Sequence, residues 1–187
     1  SREAFLPARE ELRRRHTELI DHLVHGSARK ASLTQEIDSL VEDFASRCQA
    51  VAVLGEVTPR ALDSIAGLGE RMCVRILAAA IESSGLPAAA LDATQLIVTD
   101  DRFQDAHPDL NATTPRTRQT LNPILDEGKI AVVTGFIAAT PAGIPTTLGR
   151  GGSDYSAALL GTALDADEVW IWTDVDGVMT ADPRLVP

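Results

Sequence analysis

The segment 146–184, TTLGRGGSDYSAALLGTALDADEVWIWTDVDGVMTADPR, constrains this chain more than any other stretch. Gly149, Gly151 and Gly152 surround Arg150, so the backbone there can take positive φ and turn its N–H groups toward an anion. Ser153 stands where a helix N-cap is expected, Asp154 falls in the first turn, and Ala157, Ala158, Leu159, Leu160, Ala163 and Leu164 supply the apolar run of a helix over 155–164. The loop thus ends at a helix N-terminus, which favours negative charge.

Beyond the turn at 165–168, the β-branched and aromatic run 169–173 predicts one buried strand that stops at Asp174. A carboxylate at the carboxyl end of such a strand sits where α/β sheets bind ligands. Asp176-Gly177 is a turn signal, and Asp182-Pro183-Arg184 closes the segment with an acid, a fixed φ and a guanidinium. Each piece taken alone also reads as an ordinary tight turn, capped helix or core strand. Taken together, GRGGSD followed by WTDVDGVMTADPR resembles the catalytic domain of aspartate kinases, within the amino acid kinase family.

Composition narrows the partners. The chain has 187 residues, 44% hydrophobic and 24% charged, enough apolar material for a sizeable core in one domain. A net charge of −10 argues against nucleic acid or an anionic membrane as partner, since phosphate binding on that scale needs a basic face. Cys48 and Cys73 form no CxxC and have no neighbouring His pair, which gives neither a disulfide framework nor a zinc site and points to a reducing, cytoplasmic setting. No apolar run approaches the ~20 residues of a membrane span, and residues 1–5 lack the apolar core of a signal peptide.

The N-terminal third reads as helical. Leu12, Leu19, Ile20, Leu23 and Val24 share a face in 5–25, and His16, His22 and His25 scatter around it as surface residues. Ser32 and Gln35 have capping-box spacing ahead of the stripe Ile37, Leu40, Val41, Phe44 and Cys48. The run 49–55 is strand or helix by composition, and the resemblance favours helix. Thr58-Pro59 starts another helix with Leu62, Ile65 and Leu68 on its stripe, and Gly67-Leu-Gly69 is expected to interrupt it, so that Glu70 opens a further helix and by position complements its dipole. Strand candidates follow at 89–92 and 130–134, the latter central, buried and ending at Gly135-Phe136, a second backbone approach to ligand. Between them lie a polar excursion at 100–115 and a weak helix at 117–125, while 138–147 has hairpin or loop content.

The resemblance implies a three-layer α/β/α fold with a mainly parallel central sheet, and it places 1–187 inside a single catalytic domain. It implies transfer of the γ-phosphoryl group of MgATP to the β-carboxylate of L-aspartate, with ATP and Mg²⁺ as cofactors and a homo-oligomeric parent enzyme. By the same resemblance Arg150 holds a substrate carboxylate, Ser153 lines that pocket, Glu70 binds the α-amino group, and Asp154 orients the cationic groups at the transferring phosphate. Thr173, Asp174, Met179, Asp182 and Arg184 would meet the nucleotide, with Met179 standing where several family members carry tyrosine. Family members open with a strand carrying Lys-Phe-Gly-Gly, whereas the lysines here are Lys30 and Lys129, neither in such a motif. The chain therefore reads as an internal fragment, expected to be inactive alone. A glutamate 5-kinase-like enzyme and a non-catalytic aspartate- or nucleotide-binding or assembly module are the alternatives.

Overall fold

The computed structural model describes residues 5–172, so Thr173, Asp174, Met179, Asp182 and Arg184 lie outside the described residues. Three long helices come first. Helix α1 (Leu6–Leu23) carries Pro7 in its first turn, where a missing N–H costs nothing. Gly26, at φ 81°, turns the chain into α2 (Ser27–Leu54), and the Lys30 ammonium reaches back to the Asp21 carbonyl at 2.7 Å. That turn starts α2 at Ser27, so Ser32 and Gln35 lie inside the helix and form no capping box. The run 49–55 continues α2 as helix up to Leu54.

Arg9 pairs with Glu42 at 2.6 Å and Arg13 with Asp38 at 3.0 Å, so α1 and α2 run antiparallel. Being exposed, this charged seam sets alignment more than stability. Beneath it Ile20, Val24, Leu33, Ile37 and Val41 pack on Met72 and Ile76 of α3 (Pro59–Ser83). The Thr58 hydroxyl accepts from the Ala61 N–H at 3.1 Å and caps α3 as its sequence implies.

Gly67 and Gly69 do not break α3, in contrast to the sequence reading. A Cβ at Gly67 would lie 3.1 Å from Ile137 Cγ2, so this glycine permits a close helix–strand contact. Glycine in a helix interior costs about 1 kcal/mol against alanine, which the packing on both sides offsets. Glu70 consequently sits in the middle of a helix and has no free helix N-terminus to complement.

Strand β1 (Ala88–Leu91) pairs in parallel with β2 (Ile130–Val133), Ala88 opposite Ile130 and Leu91 opposite Val133. Helix α4 (Leu110–Asp126) makes the crossover. It begins before the predicted 117 because the Asp109 carboxylate accepts the N–H groups of Asn111 and Ala112, which converts part of the polar excursion into a capped first turn. Alternation along the strands then assigns the layers. Ala88 and Val132 face Val74 and Ala78 of α3, whereas Leu91, Ala131 and Val133 face a cluster containing Leu121 of α4 and Leu159 of α5 (Gly152–Leu164). Helix, parallel sheet, helix is the three-layer order expected from the sequence. An antiparallel hairpin, β3 (Ile137–Ala139) and β4 (Pro145–Thr147), leads from β2 into the glycine loop before α5.

Two strand expectations change. β2 has β1 as its only strand partner among the described residues, and Ile130 is 41% exposed, so 130–133 is not a central, fully buried strand here. Residues 169–172 form no strand, and Trp172 is 87% exposed. β-branched and aromatic residues favour a pleated surface only when a neighbouring strand takes up their N–H and C=O groups. Val169 instead folds back on Gly161 of α5, where even a Cβ would be 2.5 Å from Val169 Cγ2.

The helical cluster makes a direct stability test. Leu33 is fully buried, so Leu33→Ala should lower the unfolding free energy by about 2–5 kcal/mol in urea titration, and a loss under about 0.5 kcal/mol would contradict this packing.

Candidate active site at the carboxyl end of the parallel strands

Directly after β2 comes Thr134, whose buried hydroxyl accepts the Ala93 N–H at 2.8 Å and so ties the ends of β1 and β2 together. Gly135 and Phe136 follow, with Phe136 at φ 65°, a conformation non-glycine residues adopt only where the surroundings hold them. The Phe136 N–H donates to Ser156 Oγ at 3.0 Å, and Ser156 Oγ donates to the Gly152 carbonyl at 2.8 Å. Those bonds bring the start of α5 against the end of β2.

The glycines of the GRGG loop divide the work. Gly149 and Gly151 take φ 73° and 74°, while Gly152 is helical and packs so closely that a Cβ would lie 2.8 Å from Phe136 Cδ2. With Gly151 as N-cap in the left-handed region, α5 begins at Gly152, two residues ahead of the start that a Ser153 cap would give, and Ser153 is no cap. Its hydroxyl is left for other use. A Cβ on Gly135 would meet Ser153 Oγ at 3.0 Å, so Ser153 stands directly beside the end of β2. Asp154 lies in the first turn of α5 and is exposed.

Glu70 reaches the same place from α3. Burial pushes its carboxyl above the ordinary value of 4.5, and the backbone N–H of Gly135 opposes that rise. Gly135 thus lies between the Glu70 carboxylate and the Ser153 hydroxyl. One turn further along α3, burial and then the Glu70 charge push the Cys73 thiol up. Arg150 is exposed and makes no ion pair among the described residues. It lines a cavity of about 310 Å³ together with Phe136, Thr147, Gly149, Gln104 and Asp63. Of the residues singled out from sequence, Glu70 and Ser153 therefore adjoin Gly135, Arg150 shares a cavity with Phe136, and Asp154 follows Ser153 in the first turn of α5.

A larger hollow of about 590 Å³ lies between the 99–109 loop and the hairpin tip, lined by Asp100, Asp101 and Asp109 with His107 as the only basic side chain on its walls. Its charge disfavours anionic ligands, so volume is a poor guide to the chemistry here.

Asp63 is the residue that sequence reasoning missed. It is 2% exposed, and its carboxylate accepts from the N–H groups of Gln104 at 2.9 Å and Thr147 at 3.1 Å and from the Thr147 hydroxyl at 2.9 Å. One signal was available: Asp63 shares a helical face with Gly67, Val74 and Ala78, all buried, where an unpartnered acid would be expensive.

Comparison with known proteins identifies the family. The sequence model of the amino acid kinase family matches residues 9–187, and the chain belongs to that family. It is 37% identical over 158 residues to an aspartokinase of Schizosaccharomyces pombe, which covers 80% of this chain and 30% of the relative. It is 38% identical over 154 residues to the lysine-sensitive aspartokinase 3 of Escherichia coli, covering 82% of this chain and 34% of the relative. The chain thus spans about a third of the length of these curated relatives. A crystal structure of E. coli aspartokinase III in complex with aspartate and ADP (R-state) superposes with a TM-score of 0.81 at 36% identity, over 89% of this chain and 36% of that one. Among the described residues, no helix is long and apolar enough to cross a membrane.

The raised carboxyl of Glu70 gives a pH signature. If its carboxylate form holds an ammonium group, affinity is complete above the raised value and falls as pH drops through it toward 4.5. For folding, the protonated form is the one burial favours, so that contribution is present below 4.5 and is lost as pH rises through the raised value. Calorimetric titration with L-aspartate across pH 4.5–7.5 should show this acid loss of affinity, and Glu70→Gln should bind weakly with a flatter profile. An identical profile in both proteins would take Glu70 out of the site.

Proposed function

We propose that this chain is the amino acid-binding part of an aspartate kinase catalytic domain, and that the whole enzyme transfers the γ-phosphoryl group of MgATP to the β-carboxylate of L-aspartate. The observation that carries the proposal is that a half-buried carboxylate, Glu70, and the Ser153 hydroxyl both adjoin Gly135, next to a cavity edged by the Arg150 guanidinium, which has no ion pair among the described residues. An amino acid presents one ammonium and at least one carboxylate, and this arrangement offers a complement to each.

In this reading the Arg150 fork receives a substrate carboxylate through paired N–H···O bonds, a geometry that a lysine could not supply. Glu70 receives the α-ammonium, and Ser153 donates its hydroxyl to the carboxylate alongside. The N–H groups of the loop around Gly149 and Gly151, and the positive end of α5, fit an anion. Asp154, exposed in the first turn of α5, orients cationic groups there. Phosphoryl transfer asks mainly for alignment of two anions and neutralisation of charge, and bound MgATP brings the phosphoryl group and the divalent cation. Thr173, Asp174, Met179, Asp182 and Arg184 are proposed for the nucleotide on their sequence pattern. Aspartate is preferred over glutamate as acceptor because the aspartokinase III structure that this chain superposes on is itself a complex with aspartate and ADP.

Neither lysine of the described residues is placed to serve as a cation at the transferring phosphate. Lys129 is held by Glu127 at 2.6 Å and Lys30 by the Asp21 carbonyl at 2.7 Å, both away from Gly135. The 187-residue chain is therefore expected to bind aspartate without turnover, since a positioned cation at such a transition state is worth roughly 10³–10⁵ in rate. In the whole kinase, Arg150→Ala should cost about 1.5–3 kcal/mol in aspartate kcat/KM, the value of a hydrogen bond to a charged group. A coupled ADP-release assay measures both. Aspartate-dependent ADP release by the chain alone, or unchanged aspartate kinetics in Arg150→Ala, would overturn the roles assigned.

A further inference from the structure

Three segments far apart in sequence converge on one buried carboxylate. Asp63 of α3 takes the N–H of Gln104, 41 residues on, and both the N–H and the hydroxyl of Thr147, 84 residues on. The two segments it grips also bind each other, because the Ala106 N–H donates to the Thr147 carbonyl at 2.9 Å. Between them runs the start of the GRGG loop. A Cβ at Gly149 would lie 2.7 Å from Asp105 Oδ1 and 3.1 Å from the Gln104 carbonyl, so the 104–105 backbone is a wall pressed against Gly149.

Gln104 makes that wall at some conformational cost. It sits at φ 74°, in the left-handed region that a residue with a Cβ adopts only when held there. Its N–H points at Asp63 Oδ2, which supplies the holding contact. On the other side Leu148, one residue past the anchored Thr147, donates its N–H to the Phe136 carbonyl at 2.9 Å. Arg150 follows two residues later, exposed and without an ion pair among the described residues, so its aim depends on how 147–149 is fixed.

We propose that Asp63 is a positioning residue for substrate: it fixes the loop wall at Gln104 and the base of the GRGG loop at Thr147, and through them sets the direction from which the Arg150 guanidinium meets a carboxylate. This rests on the reading of Arg150 as the carboxylate ligand. Asp63 acts through its hydrogen-bond pattern and not through its charge. Oδ2 accepts both backbone N–H groups and Oδ1 accepts only a hydroxyl. Asparagine can reproduce all three contacts, its amide oxygen taking the two N–H groups and its NH₂ donating to Thr147 Oγ1, which reverses roles. Alanine leaves the buried N–H and hydroxyl of Thr147 and the N–H of Gln104 without partners.

The test compares Asp63→Asn, Asp63→Ala and Thr147→Val in the 187-residue chain, by amide hydrogen exchange and by calorimetry with L-aspartate and, separately, MgADP. Asp63→Asn should keep the exchange rates of Thr147, Leu148 and Gly152 and the aspartate affinity within about threefold of the parent chain. Asp63→Ala should speed exchange at those amides by about tenfold or more and weaken aspartate by a similar factor, with MgADP affinity within about twofold. If Asp63→Ala does not fold, Thr147→Val removes only the hydroxyl contact, and should raise exchange at Leu148 and Gly152 and the aspartate Kd by about threefold. Equal loss of aspartate affinity in Asp63→Asn and Asp63→Ala would show that the charge itself acts on the ligand, and unchanged exchange at Leu148 and Gly152 in Asp63→Ala and Thr147→Val would remove the positioning role. If the parent chain binds no aspartate, the reading of Arg150 fails, and the exchange rates still decide whether Asp63 fixes the loop.

Discussion

The site depends on one close approach of two backbones. The end of β2 and the start of α5 meet where Gly135 and Gly152 have no side chains: a Cβ on the first would come within 3.0 Å of Ser153 Oγ, and one on the second within 2.8 Å of Phe136 Cδ2. Only that contact puts the first turn of α5, with Ser153 and Asp154, beside the carboxyl end of a parallel strand. Moving α5 outward by the width of a methyl group would take Ser153 away from Gly135, whose backbone N–H also acts on the Glu70 carboxyl. It would also break the Phe136 N–H to Ser156 bond that sustains an unfavourable φ of 65°.

The functional groups are consequently borne by separate elements, Glu70 by α3, Arg150 by the glycine loop, and Ser153 and Asp154 by α5. Glu70 rides on α3, which is clamped between the α1–α2 pair through Met72 and Ile76 and the sheet through Val74 and Ala78. Arg71, its neighbour, pairs with Asp92 at the end of β1 at 2.5 Å, with both side chains largely buried. A contact of that kind is costly to break from one side, because the remaining charge is left without a partner. Of the three non-glycine residues at positive φ among the described residues, Gln104 and Phe136 lie where loops approach the GRGG segment, in keeping with the general finding that such conformations collect at functional sites, while Asp165 ends α5.

What was legible in the sequence was local. The glycine pattern around Arg150, the helix behind it, the Thr58 cap and the apolar stripe of α2 are each written within a few residues and each is present, although Gly151 and not Ser153 caps α5. Glu70 was identified through resemblance while its position was misjudged, since a glycine on either side of Leu68 looks like a helix break until Ile137 is seen to need the space at Gly67. Asp63 could not be read, because its three hydrogen-bond partners come from residues 104 and 147, and no local pattern encodes them. The run at 169–172 shows the opposite failure. Its composition favours a strand, yet a strand is a property of a pair, and among the described residues it has no partner.

In the proposed site an amino acid binds between Glu70, Gly135, Ser153 and Arg150. The most direct measurement is a map of backbone amide chemical-shift changes in the ¹⁵N-labelled chain as L-aspartate is added. The expected changes centre on Gly135, Phe136, Gly152 and Ser153, extend to Gly69–Arg71 on α3, and leave the acidic hollow around Asp100 and Asp109 unmoved. A map centred on that hollow, or no saturable change at Gly135 and Ser153, would contradict the account.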